Sequence, residues 1–144
     1  MIVVDAMILA YALVRVPEHT PAVNRLLDID LAWAAPPLWR SELRNVLLQY
    51  VRVPETDRPR DAVTLDDARR KMNLAETLIG ERTFGVDSDS VLEAAEATGL
   101  SAYDGEYVAL AQELDVPLVT TDGAILQAVP DTAVRPDEIA ASSG

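Results

Sequence analysis

Asp5, Glu42, Asp104 and Asp122 are the residues of this sequence that most plainly invite chemistry. Each is an acid set where an apolar or structural residue is expected. Asp5 ends the run Met1-Ile2-Val3-Val4. Glu42 interrupts Leu38-Trp39-Arg40-Ser41-Glu42-Leu43-Arg44-Asn45-Val46-Leu47. Asp104 opens a helix-like stretch over 101–111, and Asp122 closes Pro117-Leu118-Val119-Thr120-Thr121. Burying a lone carboxylate is costly, so acids in such places face a cleft, a partner or a cation. Two lie at strand ends and two at the apolar starts of helices. If they converge, four hard oxygen ligands make a magnesium or manganese site, and no softer ligand set is on offer.

The elements that must position these acids read as alternating strands and helices. Residues 2–5 form a short, fully buried strand, and a helix over 6–14 follows almost without a loop. After a break rich in proline, a helical pattern covers 22–27, with Val23, Leu26 and Leu27 on one face. A second strand is expected over 31–34, stopped by Pro36-Pro37, then a long amphipathic helix over 38–51. Residues 54–61 are the most loop-like segment. Thr64 and Asp67 have the spacing of a capping box for a helix running to Leu78-Ile79 and ended by Gly80. A short strand over 83–86 follows, then a helix capped by Ser88 or Asp89 and another started by Ser101 or Asp104. A strand over 117–121, a short helix and a last strand over 132–135 complete the pattern. Such alternation predicts an α/β fold with a parallel sheet of about five strands covered on both faces. Ligands collect outside the carboxyl ends of those strands. The domain is expected over 1–136, with 137–144 a disordered tail.

A length of 144 residues and a hydrophobic share of 49% suit one packed domain. With no cysteine, disulfides, thiolate chemistry and cysteine-based zinc sites are excluded. The start of the chain lacks a basic region and a small-residue cleavage site, and no apolar run is long enough for a bilayer. A cytoplasmic protein with no membrane contact is expected. The net charge of −12 exceeds what four site acids supply. It opposes nonspecific binding to polyanions and makes a basic protein partner plausible.

Four blocks together resemble the PIN-domain family, and within it VapC-type toxin ribonucleases of type II toxin–antitoxin systems. They are Ile-Val-Val-Asp5-Ala, Ser41-Glu42-Leu-Arg-Asn-Val-Leu, Tyr103-Asp104-Gly-Glu-Tyr-Val-Ala-Leu-Ala and Leu-Val-Thr120-Thr-Asp122. The resemblance runs from Ile2 to about Arg135. It implies a Rossmann-like three-layer α/β/α sandwich, and hydrolysis of RNA phosphodiesters with Mg2+ or Mn2+. It also implies a cognate antitoxin and a homodimer. Asp5, Glu42, Asp104 and Asp122 match the family's metal-binding and catalytic acids. Thr120 matches a supporting hydroxyl two places before the last acid. There are two departures. Met7 stands where Ser, Thr or Asn is usual, which leaves Ser41, Thr120 or Thr121 to supply a hydroxyl. Gly105-Glu106 follows Asp104 where apolar or small residues are usual.

Divalent ions can activate water, neutralise phosphate and assist the leaving oxygen without any histidine. The one histidine, His19, sits between prolines and reads as a surface residue, so a histidine-pair ribonuclease is excluded. The plainer roles are a helix cap for Asp5 and Asp104, an arginine-paired surface residue for Glu42 and a turn residue for Asp122. Arg40 and Arg44 flank Glu42 and are the candidate substrate contacts. Arg15 and Arg69-Arg70-Lys71 are further phosphate candidates, with a solvated helix face as the plainer reading. Trp33 and Trp39 can stack on bases or fill the core. Leu47, Leu48, Tyr50 and Val51 form a dimer or antitoxin surface, or pack on the helix that follows. A receiver domain needs a lysine near its last strand, and Lys71 lies well before it. A haloacid-type phosphatase needs a second acid two places after Asp5. The rival that stands is a PIN-like protein that binds a partner and cleaves nothing.

Overall fold

A strand buried on both faces reads as a continuous apolar run, and Ile2–Val4, all buried, forms such a strand, β1. The computed structural model describes residues 1–29, 32–54 and 63–142. β2 (Trp33–Ala34), β3 (Leu118–Val119) and β4 (Ala133–Val134) join β1 in an all-parallel sheet of order β2-β1-β3-β4. Ile2 lies opposite Trp33, and Val3 opposite Ala34 on one side and Leu118 on the other. Parallel strands need crossovers, and helices supply them. These are α1 (Ala6–Leu13), α2 (Thr20–Asp28), α3 (Trp39–Val51), α4 (Leu65–Ile79), α5 (Ser88–Thr98), α6 (Ala102–Leu114), α7 (Gly123–Ala128) and α8 (Pro136–Ser142). They flank the sheet, giving the expected α/β sandwich.

The chain leaves β1 toward β2, then returns through α3 to α6 to pair β3 on the other side of β1. The order therefore reverses between β1 and β3. Asp5 follows the end of β1 and Thr120 follows the end of β3.

Among the described residues four strands stand where about five were expected. Residues 83–86 contribute a single parallel bridge, Thr83 to Ala35. Ala35 N donates to Arg82 O at 3.2 Å and Phe84 N donates to Ala35 O at 3.1 Å. The ladder stops there because Gly85 follows and Asp87 already caps α5, leaving no length for a second rung. A 3-10 turn, Gly80–Arg82, leads into this bridge, so Gly80 extends the helical path instead of ending it. Arg82 pins the turn, donating from Nε to Trp33 O at 2.7 Å and from Nη2 to Leu78 O at 2.6 Å.

Other expectations are met or moved by local chemistry. The capping box at Thr64 and Asp67 forms, with reciprocal bonds of 3.1 and 3.0 Å. Asp87 takes the cap of α5 in place of Ser88 or Asp89, and Ser101 caps α6 ahead of Asp104. Gly99 ends α5 at φ 72°, where a side chain would be strained. In place of a disordered tail from 137, α8 starts at Pro136 and packs on α2, with Ile139 against the core. Proline at the first helical position and two acids in the first turn favour that start. Leu31 of the expected second strand, residues 55–61 of the expected loop, and 143–144 lie outside the described residues.

Trp33 and Trp39 are fully buried, so both belong to the core. Trp39 Nε1 donates to Thr83 Oγ1 at 2.9 Å. Leu47 is buried as well, as α3 packs on α1 and α4. Gly105 lies buried where α6 presses on α5. A Cβ there would stand 3.2 Å from Val91 O and 3.4 Å from the Ala95 Cβ. We expect Gly105→Leu to lose about 1–3 kcal/mol of unfolding free energy through overpacking, as read from urea denaturation. A variant as stable as the wild type would show that α5 and α6 have room between them.

Candidate active site

The sheet register sets the first contact. Val4 pairs with Val119, so the next residues, Asp5 and Thr120, come abreast as the two strands end. Thr120 Oγ1 donates to Asp5 Oδ2 at 2.5 Å and accepts from Asp122 N at 3.0 Å. Asp5 Oδ1 accepts from Ile8 N at 3.0 Å, capping α1. Asp122 caps α7, its Oδ1 accepting from Ala124 N at 2.8 Å and Ile125 N at 3.1 Å. Asp104 sits in the first turn of α6 and Glu42 in the first turn of α3. Glu42 Oε1 accepts from the Tyr107 hydroxyl at 2.7 Å. All four acids therefore lie at helix N-termini, where the positive end of the helix dipole favours them.

They line one cleft of about 300 Å3, together with Ala6, Met7, Asn45, Val46, Tyr107, Thr121 and Ile125. The expected cap role and the shared cleft hold together for Asp5. Of the hydroxyls that could replace the one missing at Met7, Thr120 holds Asp5 and Thr121 lines the cleft, while Ser41 is exposed outside it.

The electrostatics match the geometry. Burial pushes the Asp5 carboxyl up to about 6, aided by Asp122 and Glu42 and opposed by the bonds from Thr120 and Ile8. Burial also raises Glu42 and Asp104, with Asp104 acting on Glu42 and Asp122 acting on Asp104. Repulsion thus runs around the cleft from Asp5 to Glu42, Asp104, Asp122 and back. Glu106 is raised by burial and by Glu42, so it faces the same cluster without lining the cleft. Among the described residues no arginine, lysine or histidine pairs with any of the four acids. An all-oxygen, all-anionic donor set fits a hard divalent cation by its chemistry. By spacing, no three acids among the described residues stand close enough to hold one ion as they are.

The arginines do not join this cluster. Arg40 makes a two-bond pair with Glu76, at 2.5 and 3.0 Å, and stacks over Trp39 at 4.9 Å. Arg44 lines a separate groove between α3 and α4 with Leu47, Leu48 and Met72. Proximity in sequence misleads here. Residues two apart on a helix point about 200° apart, so the neighbours of Glu42 at that spacing face away. The residues three and four on, Asn45 and Val46, share its face and line the cleft. Tyr107, three after Asp104, does so by the same rule. Asn45 and Tyr107 were missed as cleft residues, although their spacing was legible. Arg69 and Arg70 pair with Asp66 and Asp67 on the exposed face of α4. His19 stacks on Tyr11 with ring centroids 4.4 Å apart, clear of the cleft lining.

Among solved structures, the chain is similar in fold to PAE2754 from Pyrobaculum aerophilum, at 21% identity and TM-score 0.67, covering 99% of this chain and 95% of that one. A toxin–antitoxin complex from Klebsiella pneumoniae matches at 13% identity and TM-score 0.67, over 94% of this chain and 98% of that one. FitAB bound to an IR36 DNA fragment matches at 17% identity and TM-score 0.67, over 94% and 95%. No protein-family model matches, and no curated protein does. Among the described residues no helix is long and apolar enough to cross a membrane.

A carboxyl whose folded pKa is raised holds its proton in the native state after the unfolded chain has lost it. The stability this gives is full below about 4 and is lost as pH rises through about 6. We expect metal-free protein to be less stable at pH 7.5 than at pH 5, by about 1 kcal/mol from Asp5 alone. Asp5→Asn should flatten that slope. Urea unfolding in chelator at the two pH values measures it; equal slopes for both proteins would show that Asp5 is not held at a raised pKa.

Proposed function

We propose that this chain is a metal-dependent endoribonuclease that acts as the toxin of a toxin–antitoxin pair. The observation that carries the reading is the meeting, in one cleft at the point where strand order reverses, of four acids distant in sequence, none of them paired with a basic side chain among the described residues. A cleft of this charge repels a phosphodiester unless a cation intervenes. Asp5, Glu42, Asp104 and Asp122 would hold Mg2+ or Mn2+. When bound, such an ion would supply an activated water and neutralise charge on the phosphate. The chain's own groups do the rest. Thr120 fixes Asp5 and the backbone of Asp122 at once. With Arg40 and Arg44 turned away, the polar neutral groups left to meet the phosphate are Asn45 and Thr121 on the cleft wall. The choice of RNA and the toxin role rest on the family resemblance. The similar fold of a chain in a toxin–antitoxin complex supports the second. A cognate antitoxin would neutralise the cleft most simply with an arginine, whose fork can bridge two carboxylates.

The alternative is a partner-binding protein that cleaves nothing. The spread of the acids favours it, since no three stand within reach of one ion among the described residues. A hard divalent ion such as Mg2+ is commonly held through one or two carboxylates and several waters, so the metal reading does not need three acids at one point.

Asparagine keeps the shape of aspartate and removes its charge. Purified Asp5→Asn and Asp104→Asn are each expected to lose manganese-dependent RNA cleavage by about a hundredfold or more, with circular dichroism unchanged. Manganese should raise the wild-type melting temperature at pH 7.5 and do so less at pH 5, where protons compete for the ligands. Cleavage that persists in either variant would refute the assignment. A wild type that neither cleaves RNA nor responds to manganese would favour the partner-binding alternative.

A further inference from the structure

Tyr107 reaches the cleft from α6 with its ring in the core, 2% exposed, and its hydroxyl 2.7 Å from Glu42 Oε1. The two residues are 65 apart in sequence and on different helices. Each needs the other. A phenol buried this far must find an acceptor, and Glu42 is half-buried among like charges. Nothing else described fixes that carboxylate. It makes no ion pair among the described residues, and the start of α3 has no side-chain cap, since Leu38 holds the cap position. Left to itself, a glutamate repelled by its neighbours rotates outward to water. The hydroxyl takes one of its two oxygens and so limits rotation about the terminal bonds.

We propose that Tyr107 is a positioning residue, whose hydroxyl holds Glu42 toward the cleft and thereby sets the affinity of the cleft for a divalent cation. The proposal rests on the metal-dependent reading and deepens it. Removing a hydrogen bond that orients a metal-binding side chain weakens the metal about ten- to a hundredfold in other sites. The effect must pass through Glu42, which makes it separable from a packing role.

The test is manganese binding by titration calorimetry in the full chain, for wild type, Tyr107→Phe, Glu42→Ala and the double variant. Phenylalanine keeps the ring and removes only the hydroxyl. Tyr107→Phe is expected to raise the manganese Kd about tenfold or more, and the manganese concentration for half-maximal cleavage with it. In the Glu42→Ala background the same change should have an effect of less than about twofold, because the group it acts on is gone. An unchanged Kd in folded Tyr107→Phe would overturn the proposal and leave the metal reading standing. So would equal weakening in both backgrounds, or a Tyr107→Phe chain that fails to fold, since either makes the hydroxyl structural. A wild type that binds no manganese overturns both readings.

Discussion

Like charge confined to one cleft is the constraint around which this molecule is arranged. Four carboxylates, three of them drawn above their ordinary pKa by burial and by one another, stand on four segments that the fold brings together. Coulomb repulsion at such separations is on the order of a kcal/mol or more per pair at the effective dielectric of a protein surface. The scaffold offsets it with dipoles in place of counter-charges. Asp5 and Asp122 cap helices, and Glu42 and Asp104 lie in first turns, so each acid faces the positive end of a helix. Each such placement is worth about 0.3–1 kcal/mol. That offsets part of the repulsion and leaves the cleft strongly negative. A positive charge placed in the cleft would lower that remainder.

The strand-end residues were legible because a parallel sheet is so plain in sequence. A run such as Ile-Val-Val followed at once by Asp leaves the acid little choice but to stand at the strand's carboxyl end. The sheet register then carried Thr120 to Asp5 without help from any side-chain packing. The helix-borne residues were read less well, because neighbours in sequence are not neighbours on a helix. Arg40 and Arg44 bracket Glu42 in the chain and lie on the far side of α3, while Asn45 was passed over. The same geometry hid Tyr107, whose aromatic ring in an apolar stretch reads as core. It is core, with a polar tip that emerges in the cleft.

The missing fifth strand and the unexpected α8 share another cause. Both are decided by tertiary contact and not by local preference. Thr83 to Val86 has β character, yet the sheet meets it only at Ala35, and Asp87 turns the chain into α5 before a ladder forms. Residues 136–142 are polar and alanine-rich and look like a tail when read alone. Packing on α2 gives Ile139 somewhere to go, and the helix follows.

Thr120 ties these levels together. It is fully buried, the one buried polar residue among the described side chains, and it sits one step past β3. Its backbone N–H still belongs to the sheet, donating to Val134 O at 3.0 Å. Its hydroxyl belongs to the cleft, holding Asp5 and receiving the N–H of Asp122. A one-step slip between β1 and β3 would move Asp5 out of line with this hydroxyl, and in a strand it would also turn every side chain to the other face. Core packing and cleft geometry are therefore fixed by the same register. The apolar pairs that stabilise the sheet also set where Asp5 and Asp122 stand relative to each other, and the tolerance of the cleft to error is that of the core.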